Sequence, residues 1–262
     1  MFLKKEHDKA IRCYRDVLRR KPNNYKALEK LIGLLRRAGQ LNEVPALLDL
    51  AKTNNPRSSA HAGLRYCSGL YYRFTNDVHE AIRQLNLARR DGEWGRRALE
   101  HLIEIYLSPN GDHLWEVATG APGGDAYAEA LSVARDLLPE LKKFGREEGK
   151  DVEGGERAVA TEAAMKRRYL KNAVKMMGRD KKGVDEAMEG YMSMLEGDRE
   201  NVRALLGMSL AFTLEGSPNK ARNALKRIAK MPYTMEMAEE FEQAYLHLAH
   251  LYVDRGKFDL AQ

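Results

Sequence analysis

The sequence has little cysteine and no long apolar run. Only two cysteines, Cys13 and Cys67, occur among 262 residues, so neither a disulfide framework nor a zinc site built from four thiolates is available. No stretch approaches the roughly 18 to 20 consecutive apolar residues that a membrane-spanning helix needs, and residues 1–16 lack the apolar core of a secretory signal. These absences predict a soluble protein of a reducing compartment, with no direct insertion into a membrane.

Basic residues are only slightly more numerous than acidic ones. Lys and Arg total 44 against 38 Asp and Glu, which gives a net charge of +6, and this excess is too small to indicate a nucleic-acid-binding protein. The charge is unevenly distributed, however, because residues 1–100 carry 21 basic and 11 acidic side chains. The first hundred residues therefore predict a positive surface that suits acidic protein segments and not nucleic acid.

A period of 34 residues organises the sequence. Residues of similar kind recur at this spacing in the pairs Ala10 and Val44, Tyr14 and Leu48, and Pro22 and Pro56. The same shift relates the apolar residues of 187–194 to those of 221–228. Between the repeated positions, apolar residues follow a helical period on two segments that are joined at Gly39. This is the tetratricopeptide spacing, and it predicts an all-α fold built from helical hairpins.

The residue types at the repeated positions fit close packing between antiparallel helices. Small residues such as Gly69 and Ala221 let one helix approach its partner, and large ones such as Tyr72 and Tyr252 fill the space between helices. Because one hairpin cannot bury its own apolar face, neighbouring hairpins are expected to stack. The result is a tetratricopeptide-repeat solenoid, a right-handed superhelix whose first helices line a concave groove.

Two segments interrupt the helical pattern. Residues 108–125 are rich in Gly and Pro, and residues 145–156 are rich in Gly and acidic residues, so both are predicted to be loops. They separate basic tetratricopeptide repeats at 1–107, a repeat helix at 126–144 and further repeats at 157–262. The sequence begins and stops inside the repeat pattern, without a polar capping helix, and we expect it to be a fragment of a longer solenoid.

No residue pattern indicates a catalytic, cofactor or metal site. The glycines and lysine of 145–150 resemble part of a phosphate-binding loop, but the spacing is one residue short and no strand precedes it. His247 and His250 lie three residues apart without a glutamate partner or a third ligand, and His101 is expected at an ordinary exposed helix position. We therefore predict that the protein is not an enzyme and holds no cofactor or metal ion.

The predicted groove supplies the candidate protein-binding residues. Seven side chains are expected to face it: Lys26, Glu29, Arg36, Tyr66, Arg73, Arg97 and His250. This set lacks the Lys and Asn residues with which chaperone-binding tetratricopeptide domains grip a terminal carboxylate. An acidic segment of a partner protein is the expected ligand. Reversing the charge of Arg36, Arg73 and Arg97 is expected to weaken that binding without unfolding the protein.

Two stretches go beyond a generic repeat. The stretch Leu64–Asn110 contains LNLARRDGEWGRRAL around Trp94, and Arg203–Gln262 contains ALLGMSLAF and ARNALKRIAKM, runs that the repeat does not require. Both resemble the tetratricopeptide repeat protein 21 family, the all-repeat subunit of intraflagellar transport complex A. The resemblance implies a non-catalytic scaffold that supports retrograde transport and membrane-cargo handling, with other complex A subunits as partners. It also implies a location in the cilium or flagellum, at its base and in the cytoplasm.

Two other functions stay open at this point. The chain could act as a repeat adaptor of a different multisubunit assembly, which its partner set would reveal. It could also be the regulatory repeat arm of an enzyme whose catalytic domain is absent from this sequence, which the flanking sequence would decide.

Overall fold

The fold is all-helical throughout the residues that the structure describes. A computed structural model describes residues 2–53, 60–108, 114–120, 124–147, 155–234, 237–257 and 259, and these contain helices and no strand. The α-helices are α1 Phe2–Arg20, α2 Tyr25–Arg37, α3 Val44–Thr53, α4 Ala62–Phe74, α5 Val78–Ala88, α6 Gly95–Leu107, α7 Leu114–Thr119, α8 Asp125–Glu147, α9 Gly155–Met176, α10 Lys181–Gly197, α11 Val202–Leu214, α12 Pro218–Ala229 and α13 Ala238–Val253. The predicted class, a helical repeat solenoid, is confirmed, and the right-handed sense of the superhelix stays a prediction.

The chain forms two compact units, Met1–Ile105 and Tyr106–Gln262. In the first unit, α1 packs on α2, α2 on α4, and α4 on α5. The turns between hairpin helices use residues with positive φ: Gly39 at +69° after α2 and Asn76 at +62° before α5. Glycine adopts this conformation without strain, and asparagine does so more readily than most residues.

In the second unit the helices pack in chain order. Helix α9 packs on α10, α10 on α11, α11 on α12, and α12 on α13. Leu205, Leu225, Ile228 and Phe241 lie at the centre of a buried cluster that α11, α12 and α13 share. A turn at Gly256, with φ of +66°, follows α13, as the repeat pattern predicts.

Close approach between helices depends on small residues, as expected. A Cβ atom added at Gly69 would lie 2.7 Å from Cγ of Leu85 on α5, and one added at Gly207 would lie 2.3 Å from Cζ of Tyr191 on α10. Both distances are well inside van der Waals contact, so each glycine is required by its neighbour. Cys67 is buried and its thiol approaches the Tyr25 carbonyl oxygen at 3.5 Å, whereas Cys13 is exposed.

The segments predicted to be loops are only partly described. Helix α7 lies within 108–125, so the loop prediction is wrong for Leu114–Thr119. The repeat helix expected at 126–144 is longer, since α8 runs over Asp125–Glu147. Residues 109–113, 121–123 and 148–154 lie outside the described residues, as do Pro56 and the segment 260–262.

Candidate protein-interaction surface

Three successive first helices carry most of the predicted groove residues. Local sequence fixes where two of these helices begin: Oδ1 of Asn24 accepts a hydrogen bond from the Ala27 amide at 3.1 Å, and Nδ1 of His61 accepts one from the Gly63 amide at 3.0 Å. Such caps satisfy amide groups that have no partner inside the helix. They start α2 and α4 so that Glu29 and Tyr66 each lie at the fifth residue of their helix.

Glu29, Tyr66 and Arg97 meet although 68 residues separate the first from the last. The Tyr66 hydroxyl donates to Oε1 of Glu29 at 3.1 Å, and the Arg97 guanidinium donates to Oε2 of the same carboxylate. The guanidinium also lies 5.7 Å from the centre of the Trp94 ring. Burial raises the pKa of Tyr66 well above its usual value, and the Glu29 carboxylate adds to the rise. The hydroxyl therefore stays protonated and acts as a donor to Glu29.

A second group continues from the same tyrosine. The Tyr66 oxygen lies 3.1 Å from Nε2 of His101, and the other ring nitrogen of His101 contacts the Arg73 guanidinium. Arg73 also donates to Oε2 of Glu104 at 2.6 Å. We call these six residues, Glu29, Tyr66, Arg73, Arg97, His101 and Glu104, the polar network. Its two arginines and two glutamates balance in charge.

Two expectations about these side chains are wrong. Tyr66 is only 1% exposed, because Trp94 and His101 stack against its ring, so it does not line an open groove. His101 was expected at an exposed position, but its side chain is only 13% exposed. The sequence spacing could have predicted this position of His101. It lies on α6 four residues after Arg97 and three before Glu104, and this spacing places all three on one helix face.

The remaining predicted residues lie outside the polar network. Nζ of Lys26 lies 2.7 Å from Oε1 of Glu93, with the lysine side chain 67% exposed. The Arg36 guanidinium carbon lies 4.4 Å from the centre of the Phe74 ring. His250 belongs to the other unit, where its Nε2 lies 3.4 Å from Oδ2 of Asp254. No contact of the structure tests whether these side chains bind a partner, and their role stays a prediction.

A buried arginine joins three first helices of the second unit, and the sequence analysis missed it. Arg203 on α11 donates to Oε1 of Glu240 on α13 at 2.6 Å and to Oε1 of Glu162 on α9 at 3.3 Å. Its side chain is only 5% exposed. Burial lowers the pKa of Arg203, but the two carboxylates outweigh that effect and the pKa is raised. The two ion pairs of Arg203 therefore link α9, α11 and α13, as the polar network links α2, α4 and α6 in the first unit.

The two histidines that the sequence analysis considered as a metal site, His247 and His250, are among the residues that the structure describes. The described residues contain no group of three His, Cys, Asp or Glu side chains that could hold a metal ion. The His247 and His250 side chains lie in different surroundings, since His247 is buried and its Nε2 lies 3.3 Å from Oγ1 of Thr213. Burial lowers the pKa of His247 to about 4. Within the described part of the chain, no helix is both long and apolar enough to span a membrane.

Family models match both ends of the chain. One, described as the TT21 fifth ARM repeats domain, matches residues 1–107, and another, described as the Tetratricopeptide repeat protein 21 C-terminal ARM domain, matches residues 152–262. Armadillo repeats, like tetratricopeptide repeats, are stacked helical units, with a period of about 40 residues or more. Both matches therefore agree with a helical repeat fold.

Known proteins match along the whole chain. Tetratricopeptide repeat protein 21A of Mus musculus is 34% identical over 262 residues, which are 100% of this chain and 19% of that protein. Tetratricopeptide repeat protein 21B of Homo sapiens is 35% identical over 244 residues, 90% of this chain and 17% of that protein. A Tetratricopeptide repeat protein 21 homolog of Caenorhabditis elegans is 25% identical over 268 residues, 99% of this chain and 19% of that protein. The chain thus spans about a fifth of the length of the curated relatives it matches.

Proposed function

This chain belongs to the tetratricopeptide repeat protein 21 family, which confirms the resemblance of the stretches Leu64–Asn110 and Arg203–Gln262, and we propose that it is a non-catalytic scaffold of intraflagellar transport complex A. Its partners are other subunits of that complex, and its place is the cilium or flagellum, the base of that organelle and the cytoplasm. In this role it supports retrograde transport and the handling of membrane cargo. A row of stacked hairpins suits the task, because it offers extended surface on which several modest contacts add together.

The observation that carries the proposal is the row of first helices in the N-terminal unit. The polar network ties α2, α4 and α6 together from within, so that their outer side chains keep fixed spacings. Lys26, Lys30 and Arg36 lie on the exposed side of α2. We call these three residues the basic strip of α2. Its positive charge would attract an acidic segment of a partner subunit and orient it.

Exchange of ion-pair partners at this strip costs little. The pair of Lys26 with Glu93 is exposed, and exposed pairs contribute about 0 to 1 kcal/mol. An incoming carboxylate can therefore replace Glu93 at small cost. Arg73 and Arg97 differ, because glutamate at either position would set a carboxylate beside Glu104 or Glu29 in a partly buried site. Charge reversal there is expected to destabilise the unit, so it is unsuitable as a test of binding.

The test is a pull-down of an epitope-tagged protein containing this sequence from ciliated cells, with mass spectrometry of what is captured. We compare the wild type with a Lys26→Glu and Arg36→Glu double variant. The matched control reverses Lys52 and Arg83, exposed basic residues of α3 and α5 that are paired within their own helices. We expect complex A subunits with the wild type and the control, and loss of at least one subunit with the test variant.

Two results would contradict the proposal in different ways. Capture of an unrelated complex would favour an adaptor of another assembly and would refute the ciliary role. Capture of the same complex A subunits by all three proteins would agree with the scaffold role, but it would show that the basic strip of α2 is not the binding surface.

A further inference from the structure

Helix α12 presents a solvent-facing side that is basic and has no acidic residue. Residues 218–230, the helix and its last cap, contain five basic residues and no aspartate or glutamate. Ala221, Leu225 and Ile228 bury the opposite side in the cluster shared with α11 and α13. The exposed side carries three lysines, one arginine and two asparagines, which we call the basic face of α12: Lys220, Lys226, Lys230, Arg227, Asn219 and Asn223.

No carboxylate neutralises this charge. Among the residues that the structure describes, the ion pairs of the second unit lie elsewhere, on α9, α10, α11 and α13 and at Asp254. Lys220 and Lys226 lie over aromatic rings of α11 and α13, and Arg227 donates to a backbone carbonyl oxygen. Other helices differ, because exposed basic residues there pair with a carboxylate three residues earlier: Lys9, Arg19, Lys52 and Arg83. The charge of the basic face is therefore available to a ligand.

Two arginines from neighbouring turns extend the positive surface. Nη1 of Arg255 donates to Oδ1 of Asn219 at 2.8 Å, and the Arg199 carbonyl oxygen accepts from Arg227 at 2.8 Å. The acidic residues nearest in sequence flank these two arginines: Asp198, Glu200 and Asp254. The positive charge is thus greatest along α12 itself, where it spans about 15 Å of the helix axis.

The composition of the basic face favours a layer of lipid headgroups over a protein partner. Protein interfaces are depleted in lysine and enriched in aromatic residues and methionine, whereas α12 exposes three lysines and no large apolar side chain. A lysine ammonium group is a compact charge on a flexible stem, so it can follow phosphate groups whose positions are not fixed. Clusters of about four to eight basic residues on an amphipathic helix are typical of binding to anionic lipids.

Attachment through this face would be electrostatic only. The apolar side of α12 is buried in the core, so it is not available to insert between acyl chains as the apolar side of an interfacial helix does. Salt screens such an attraction, because the screening length falls from about 10 Å at 0.1 M salt to about 3 Å at 1 M. Binding should therefore be reversible and sensitive to salt.

From this charge pattern we propose that the basic face of α12 binds the phosphate-bearing headgroups of an anionic lipid bilayer and holds the C-terminal unit at the membrane surface without insertion. The inference goes beyond the proposed function, because it concerns the other unit and a ligand that is not a protein. The two stand or fall separately, since the vesicle experiment contains no complex A subunit and the pull-down variants leave α12 unchanged.

Vesicle co-sedimentation of the purified protein tests the proposal. The vesicles are phosphatidylcholine alone, or phosphatidylcholine with about 30% phosphatidylserine. We expect binding to the anionic vesicles to be at least about tenfold tighter than to the neutral ones at 0.1 M salt, and to be lost at about 1 M. No binding to the anionic vesicles, or equal binding to both kinds, would overturn the proposal.

A charge-reversal variant assigns the binding to α12. Lys220→Glu and Lys226→Glu change exposed side chains, and glutamate at position 220, three residues after Ser217, suits the start of a helix. Each lost cation should weaken binding about fivefold, so the double variant should bind anionic vesicles at least about 25-fold more weakly. The matched control, Lys171→Glu with Lys182→Glu, makes the same change of net charge at exposed positions of α9 and α10. Equal weakening in the control, or none in the test variant, would refute the assignment.

An acidic peptide separates a lipid ligand from a protein ligand. Binding of a fluorescent peptide of about ten glutamates is measured by anisotropy with the same proteins. A peptide that binds the wild type and not the test variant, without binding to anionic vesicles, would assign the basic face to an acidic protein segment and overturn the lipid proposal. Circular dichroism checks the fold of each variant. If the double variant does not fold, Lys226→Gln replaces it, with an expected loss of about fivefold, and unchanged vesicle binding would then refute the proposal.

Discussion

Gly207 offers a sharp test of the packing between α10 and α11. We predict that Gly207→Ala destabilises the C-terminal unit, because the new Cβ would lie 2.3 to 2.7 Å from three ring carbons of Tyr191. Ordinary contact between carbons needs about 3.5 to 4.0 Å, so the ring must move by about 1 Å. Tyr191 is fully buried, and close-packed surroundings resist such movement.

The expected magnitude is a balance of two effects. Overpacking of a well-packed core lowers the free energy of unfolding by about 1 to 3 kcal/mol, whereas the higher helix propensity of alanine relative to glycine raises it by about 1 kcal/mol. A closest approach of 2.3 Å to a buried ring points to the upper part of the overpacking range, about 2 to 3 kcal/mol, so the free energy of unfolding should fall by about 1 to 2 kcal/mol. Gly197→Ala is the control in the same unit, because nothing lies within 4 Å of a Cβ at that position, and its effect should be at most about 0.5 kcal/mol.

Urea denaturation followed by circular dichroism measures both variants. A Tyr191→Leu background removes the ring, and in it the Gly207→Ala change should lose most of its cost, with a coupling energy of about 1 kcal/mol or more. If Gly207→Ala and Gly197→Ala differ by less than about 0.5 kcal/mol, the close approach does not limit this position and the reasoning fails.

Two further predictions concern buried ionisable groups. The pKa of His247 is lowered to about 4 in the folded protein, so only the unfolded state binds this proton between pH 6.5 and 4. The free energy of unfolding should fall by roughly 3 kcal/mol as the pH drops through that range. In urea denaturation at pH 7 and pH 4.5, His247→Gln should lose less stability between the two pH values than the wild type does. An equal loss in the two proteins would contradict the lowered pKa of His247. Arg203→Met should lower the free energy of unfolding by about 3 kcal/mol, the lower end of the range for a buried pair, because it leaves the Glu240 carboxylate, only 15% exposed, without its cation. Adding Glu240→Leu should recover most of that loss in urea titrations, and no recovery would disprove the ion-pair explanation.

The repeat architecture could be predicted because its signal is local and recurrent. The 34-residue period, the turn glycines Gly39 and Gly256, and the close-packing Gly69 all depend on contacts between helices adjacent in sequence. Four of the predicted groove residues, Glu29, Tyr66, Arg73 and Arg97, do come together, but as partners of one another. Their pairing could not be foreseen, since it depends on how helices distant in sequence align side by side.

Helix α7 could not be predicted, for a different reason. Its six residues are too few to show a period, and the surrounding Gly, Pro and acidic residues are typical of loops. What stabilises it is tertiary: packing on α11 and the Arg179 side chain from a turn some sixty residues away. The buried Arg203 was missed for a similar reason, because a charged residue near a helix start is usually exposed and only Glu162 and Glu240 make its burial tolerable.

The bond between Glu29 and Arg97 bears on how the N-terminal unit comes apart. In repeat proteins whose modules touch only adjacent modules, the end module can fray alone, because its loss breaks one interface and leaves the rest intact. Here α2 and α6 belong to hairpins that are two steps apart, and the carboxylate on one depends on the guanidinium of the other. Separating α6 from α4 would leave Glu29 without Arg97 and the Tyr66 hydroxyl without His101. The hairpins are thus coupled beyond adjacent pairs, and the unit should melt as one cooperative block with a single transition.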